Sequence, residues 1–183
     1  MVQVFIAIGA NINPAENVLA AVRTLTHQVK VVAISTFFST QPIGQPDQPM
    51  FYNGVLEAKT DILPEILKFN VLRKIENDLG RKRTEDKYAP RTIDLDLILY
   101  GDLALQTTGL ILPDPEISTR PFLAFPLYEL APDLILPTLE TSLEEIIKGM
   151  TQETMRPLHE FTLILRRELS ENLSEHNMTT KGD

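Results

Sequence analysis

The sequence contains no cysteine, so disulfides, thiolate metal sites and cysteine nucleophiles are excluded, and nothing argues for export to an oxidising compartment. Histidine is scarce as well. His27, His159 and His176 lie far apart in the chain and far from the aspartates at 94 and 96, which argues against a histidine zinc site or a histidine-centred triad. Any metal is therefore expected to be hard and oxygen-bound. Long apolar runs are missing too. The opening Met1-Val2-Gln3-Val4-Phe5-Ile6-Ala7-Ile8-Gly9 is apolar but has no basic leader, and it is too short for a signal peptide or a membrane span, so a cytoplasmic protein without membrane contact is expected. Positive charge is in deficit, with 17 Lys and Arg against 25 Asp and Glu and a net charge of −8. A general nucleic-acid binder relies on a basic surface, so the charge argues against that class.

What is present points elsewhere. At 183 residues and 43% apolar content the chain can bury a proper core as one domain. Its cations are unevenly placed: residues 1–70 hold four (Arg23, Lys30, Lys59, Lys68), whereas 71–91 hold seven (Arg73, Lys74, Arg81, Lys82, Arg83, Lys87, Arg91). A local cationic patch on an acidic protein suits a small anion, and beside carboxylates a nucleotide polyphosphate is the natural candidate. The patch leads into Ile93-Asp94-Leu95-Asp96-Leu97-Ile98-Leu99-Tyr100, a β-prone apolar strand interrupted twice by charge. Residues i and i+2 of a strand share a face, which places Asp94 and Asp96 side by side with Cα atoms roughly 6.5–7 Å apart. Two such carboxylates suit a pair of Mg²⁺ ions bridging phosphates. An isolated Asp-x-Asp is as readily two solvent-facing side chains; Arg91 and the preceding cations weigh toward a site.

In chain order, alternation and β-branching predict a strand over Val2–Gly9 and a helix from Asn13-Pro14 to about Gln28. A second β-prone run spans Val31–Phe38. The proline-rich loop 39–50 is rigid and long enough to be functional. A strand over Phe51–Ala58 places Asn53 on the face of Phe51. An amphipathic helix is expected over Ile62–Leu79, begun at Asp61 and ended by Gly80. After the acidic strand come a short hairpin from Leu103–Leu105 and Leu110–Leu112, a helix over Phe122–Leu130 and small closing elements. Glu160–Leu169 fits helix or strand, and Ser170–Asp183 is polar enough for a disordered tail. The order strand, helix, strand, strand, helix, strand predicts an α+β fold with a ferredoxin-like antiparallel sheet flanked by helices and small C-terminal additions. Residues 1–150 are expected to form one domain and 151–183 a C-terminal extension.

Pro90-Arg91-Thr92-Ile93-Asp94-Leu95-Asp96-Leu97-Ile98, with Ala89 before it, closely resembles the signature of the 6-hydroxymethyl-7,8-dihydropterin pyrophosphokinase family. Other pieces agree in order: Ile6-Ala7-Ile8-Gly9-Ala10-Asn11, Thr40-Gln41-Pro42-Ile43-Gly44 with Asp47-Gln48-Pro49, Phe51-Tyr52-Asn53, Leu79-Gly80-Arg81 and Pro121-Phe122-Leu123. The resemblance implies transfer of a pyrophosphoryl group from the co-substrate ATP to a pterin alcohol in folate synthesis, by an enzyme with small-molecule substrates and expected to act as a monomer. It implies that Asp94 and Asp96 hold two Mg²⁺ ions, and that Arg81, Arg83 and Arg91 bind the triphosphate, two of them from a loop that closes over the site. Arg73 and Glu76 would face the nucleotide, with Tyr88, Ile98, Asp114 and Arg120 completing its site. Phe51 and Phe122 correspond to the stacking aromatics of the pterin pocket, Asn53 to the amide that pairs with the pterin edge, and Thr40, Pro42 and Ile43 to backbone contacts. One departure stands out. Family members commonly carry Pro-His-Pro where this chain has Pro113-Asp114-Pro115, which implies weaker ATP binding or compensation by Mg²⁺ or by Arg120. A non-catalytic pterin or nucleotide binder and a two-metal phosphodiesterase are competing readings; retention of Asp94, Asp96 and Arg91 weighs against the first, and the lack of further ligands against the second.

Overall fold

A computed structural model describes residues 1–44, 47–84, 86, 88–137 and 139–179, the last eight as backbone only. Lys87 of the cation run, Gln45-Pro46 of the proline-rich loop and residues 180–183 of the tail lie outside the described residues.

Strand β1 (Val2–Ala10) is an interior strand of the sheet. It is buried from Val4 onward because both of its faces are covered, which is why it reads as nearly continuous apolar sequence rather than strict alternation. Val4, Ile6, Ile8 and Ala10 enter one core with α1 (Pro14–Thr26), while Phe5 and Ala7 enter a second core on the opposite face. Strands β2 (Lys30–Ile34) and β3 (Phe38–Thr40) both pair with β4 (Phe51–Thr60). In turn β4 lies antiparallel to one edge of β1, and β5 (Asp94–Tyr100) lies antiparallel to the other. The order β10-β3-β4-β1-β5, with β2 alongside β4, is the expected antiparallel α+β sheet with one strand added. That strand, β10 (Met155–Pro157), extends the edge at β3.

Helix α2 (64–78) departs from expectation in two ways. It starts at Pro64 rather than Ile62, because Leu63 precedes a proline and is held extended,. It is also not uniform: an α-helical start (Pro64–Ile66) gives way to a π-helical segment (Leu67–Leu72) before α-helix resumes (Arg73–Asp78). Gly80 then turns the chain with φ +77°, the conformation that suits glycine. The hairpin forms with its second strand as expected, β7 (Leu110–Leu112), and its first two residues later, β6 (Leu105–Thr107). A 3₁₀ turn (Pro115–Ser118) leads to α3 (Pro121–Leu130), which packs Leu123, Ala124 and Leu127 on the second core.

The β-prone run 31–38 is split at Ser35, whose N–H donates to Val55 O (3.0 Å) and whose Oγ accepts from Val55 N–H (2.9 Å). Short strands β8 (Ile135–Leu136) and β9 (Thr141–Ser142) precede α4 (Leu143–Lys148), which carries a capping box from Ser142 to Glu145,. The segment that fitted either helix or strand is helix α5 (His159–Thr179), so the backbone stays helical where polar composition suggested disorder. This helix belongs to the first core through Leu165 and Leu169. Arg23 pairs with Glu168 through two hydrogen bonds (2.8 and 2.6 Å), and Thr162 Oγ1 accepts from Phe37 N–H (2.9 Å).

Candidate active site

Three adjacent strands bring the site together. Register places Asn53, Gly9 and Asp94 on one rung across β4, β1 and β5, and places Asp96 opposite Ala7. Their side chains share the face that farther along packs against α3. At this end α3 leaves the face uncovered, and a cavity of about 250 Å³ opens there. Gly9 keeps the rung open, because a Cβ there would stand 2.7 Å from Asn53 Oδ1. The two-residue spacing of Asp94 and Asp96 does place both carboxylates in this cavity.

Part of the cavity lining is aromatic and apolar. Phe51, Phe122, Ile43 and Thr40 line it together with Asn53. Asn53 Nδ2 donates to Thr40 Oγ1 (2.7 Å), which fixes the amide and leaves its oxygen as an acceptor. The Arg91 guanidinium lies 5.6 Å from the Phe51 ring centroid, a cation–π distance. Asn11, buried beneath, ties the approach down: its Oδ1 accepts from Arg91 N–H (2.8 Å), and its Nδ2 donates to Gln48 Oε1 (3.1 Å). In the sequence Asn11 stood out only as the end of the resembling stretch Ile6–Asn11; its clamp joins positions 80 residues apart.

Another part of the lining is charged. Asp94 and Asp96 share it with Tyr88, Ile98, Asp114 and Arg120. Arg81 and Arg91 both ion-pair with Asp94. Burial pushes the Asp94 carboxyl up, but these two guanidinium groups outweigh it and hold the group below the usual carboxylate range,. The folded value lies below the unfolded one, so the stabilisation is present above the unfolded value and is lost as pH falls through the folded one. Urea-unfolding stabilities of the parent chain and Asp94→Asn are expected to converge as pH drops below the ordinary carboxylate range. A gap that stays constant would contradict this.

Glu76 and Arg73, expected to face the nucleotide, do not line the cavity. Glu76 is 1% exposed and turned under β5. It accepts from Arg81 (2.8 Å), from Arg83 and from the backbone N–H of Leu95 (2.9 Å). Burial pushes its carboxyl up, and the Leu95 N–H and Arg81 offset this only in part. Arg73 instead stacks over Phe69, 4.4 Å from the ring centroid, with its Nε buried and unbonded among the described residues. Arg81 is bonded to Asp94 and Arg83 to Glu76, and neither these arginines nor Pro42 line the cavity. The sequence reading missed Lys68: it is buried and ion-paired with Asp96. A lone lysine in an amphipathic helix carries no local signal for such a role.

Asp114 also faces this cavity. Its Oδ1 caps the 3₁₀ turn by accepting from Glu116 N–H (2.8 Å). Burial pushes its carboxyl up, the Glu116 N–H opposes that, and the negative Asp96 adds to the rise. Arg120 is engaged with Glu116 at 3.6 Å.

Among the described residues no helix is long and apolar enough to cross a membrane. The family profile for 7,8-dihydro-6-hydroxymethylpterin-pyrophosphokinase matches residues 5–132. The 2-amino-4-hydroxy-6-hydroxymethyldihydropteridine pyrophosphokinase of Haemophilus influenzae is 34% identical over 162 residues, covering 87% of this chain and 99% of that protein. Its namesake from Pseudomonas aeruginosa is 38% identical over 138 residues, covering 74% and 84%. The crystal structure of wild-type Plasmodium falciparum HPPK-DHPS with SDX-DHP superposes with a TM-score of 0.60 at 12% identity, covering 86% of this chain and 47% of that one. That likeness speaks to the fold alone, and this chain spans less than half of that structure's length. Profile and relatives agree across most of the sequence: the chain belongs to the 7,8-dihydro-6-hydroxymethylpterin-pyrophosphokinase family, as an ATP-dependent pyrophosphokinase.

Proposed function

We propose that this chain transfers the pyrophosphoryl group of ATP to the hydroxymethyl group of 6-hydroxymethyl-7,8-dihydropterin, releasing AMP and the pterin diphosphate in folate synthesis. The observation that carries this reading is one cavity lined by two chemically different sets of side chains: Phe51, Phe122 and Asn53 on the one hand, Asp94, Asp96 and Arg91 on the other. A planar pterin has faces for aromatic stacking and an edge of donors and acceptors for the fixed Asn53 amide. The hydroxymethyl oxygen then attacks the β-phosphorus, the bond to the α,β-bridging oxygen breaks, AMP leaves, and the hydroxyl proton passes to solvent.

Asp94 and Asp96 are the residues that would hold two Mg²⁺ ions. The donor set fits: both are hard oxygen ligands, and no group of three or more His, Cys, Asp or Glu suited to a metal forms among the described residues. Mg²⁺ is commonly held by one or two carboxylates with substrate phosphates supplying further oxygens. When bound, the metal would neutralise charge on the transferring phosphates. Arg81, Arg83 and Arg91 now rest on Asp94 and Glu76; a triphosphate competes for the same guanidinium groups. Phosphoryl transfer needs positioning and charge neutralisation more than covalent help, so the lack of a general base is no obstacle. On the same reading Tyr88, Ile98, Asp114 and Arg120 flank the nucleotide, and Thr40, Pro42 and Ile43 the pterin. Residues 1–150 act as the pyrophosphokinase domain and 151–183 as an extension, in a cytoplasmic monomer.

Asp114 sets a negative charge beside Asp96 where polyphosphate would lie. Asp114→His is expected to lower the KM for ATP about threefold to tenfold, the effect of roughly 1 kcal/mol, with a smaller change in kcat. An unchanged KM would remove Asp114 from the nucleotide site.

Product analysis tests the whole reading. Protein, Mg²⁺, ATP and the pterin alcohol should yield AMP with a pterin diphosphate. ADP instead would mean that the attacked phosphorus is wrong, and saturable pterin binding without any nucleotide product would favour a non-catalytic binder.

A further inference from the structure

Strand β5 is an edge of the sheet, and an edge strand leaves backbone groups without strand partners. Here helix α2 covers that edge at one residue. Leu95 stands between the two candidate metal carboxylates; its N–H is taken by Glu76, and its carbonyl oxygen lies 3.5 Å from Lys68 Nζ. The same ammonium group ion-pairs with Asp96 Oδ1. Asp94 is neutralised by arginines of the 81–91 segment, whereas Asp96 is neutralised from a different element.

Lys68 is held there by construction. It is 9% exposed and sits in the π-helical segment, between Leu67 and Leu72, which are both fully buried. Its carbonyl accepts from Arg73 N–H, the i→i+5 bond of a π-turn. Such segments recur at functional sites, since the wider turn changes the direction of side chains on either side of it. Burying an ammonium group without a partner is costly, so Lys68 has strong reason to stay on Asp96 until another cation takes that carboxylate or another anion takes the lysine.

We propose that Lys68 is a built-in counter-cation for Asp96 that a divalent metal must displace, which lowers the metal affinity of the nucleotide-free protein. The inference rests on Asp96 being a metal ligand. Lys68 is thus a positioning residue: it acts on the metal through Asp96.

Mn²⁺ binding to nucleotide-free protein, followed by the electron paramagnetic resonance of free Mn²⁺, tests it. Lys68→Met should bind Mn²⁺ about tenfold tighter than the parent chain, since one opposing ion pair is removed. Lys74→Met, which loses the same charge from an exposed lysine of the same helix paired with Asp78, should stay within about twofold. Equal affinities for the two methionine variants would overturn the proposal. Asp96→Asn separates it from the reading beneath it. If that variant weakens Mn²⁺ binding while Lys68→Met changes nothing, only the counter-cation role falls; if Asp96→Asn binds Mn²⁺ as the parent does, the metal assignment of Asp96 falls with it. Should Lys68→Met not fold, side-chain NMR of the parent chain decides: the Lys68 resonance, assigned through Lys68→Arg, should shift on saturation with Mg²⁺, and a resonance that stays in place overturns displacement.

Discussion

Turnover is expected to fall at least about 100-fold in both Asp96→Ala and Asp96→Asn, because each removes a charge that the proposed metal site needs. Only the alanine variant should lose measurable stability. The Asp96 side chain is 45% exposed and that of its partner Lys68 only 11%, so truncation to alanine strands a lysine that cannot easily reach water. Asparagine keeps an oxygen for the ammonium group to donate to. The expected cost of alanine is about 1 kcal/mol, discounted for the exposure of Asp96, which in a chain of this size is roughly 2–4 °C in Tm. AMP production and thermal melts on the two variants check both halves. Full activity of Asp96→Ala at ordinary Mg²⁺ would refute the metal assignment.

Stability should respond most to Glu76. Its carboxylate is the buried hub on which Arg81, Arg83 and the Leu95 N–H converge. Glu76→Ala leaves the Leu95 N–H without an acceptor and Arg81 with less negative charge around it in a buried setting. Losing one partner of a buried ionic cluster costs about 3–5 kcal/mol, a large share of the ~5–15 kcal/mol that holds a domain together. Glu76→Gln retains an oxygen for Leu95 and for Arg81 and should melt well above the alanine variant. Because Arg81 also binds Asp94, both variants should lose activity beyond what their stability predicts at the assay temperature. A Glu76→Ala protein melting within a degree or two of the parent would show that the cluster does not anchor the site.

These two residues also mark where sequence reading succeeded and where it stopped. Asp96 was legible because its cue is local: a charge two residues from another charge in an apolar strand must share its face. The resemblance carried by Pro90–Ile98 covers the same stretch, and the family profile bears it out. Glu76 was placed on the right helix, but its burial against the Leu95 N–H was not legible. Direction around α2 depends on the π-helical segment at Leu67–Leu72. Over a single turn, apolar spacing does not distinguish 3.6 residues from the wider π repeat, and each residue after that turn is rotated from its expected direction.

The partition between the two levels is physical. Sequence by itself determined the features that near neighbours dictate: the strands begun at Val2 and around Asp94, the helix ended by Gly80, the pairing of Asp94 with Asp96 on one face, and the exclusion of thiol chemistry. Tertiary structure alone decided the features that depend on contacts between distant segments. Asn11 clamps Arg91, Lys68 reaches Asp96, Glu76 gathers Arg81 and Arg83 beneath β5, and α5 docks on α1 through Arg23 and Glu168. The contacts made by Asp96 and the Leu95 N–H depend on the sheet's register, because a one-residue slip would carry every side chain of a strand to the opposite face.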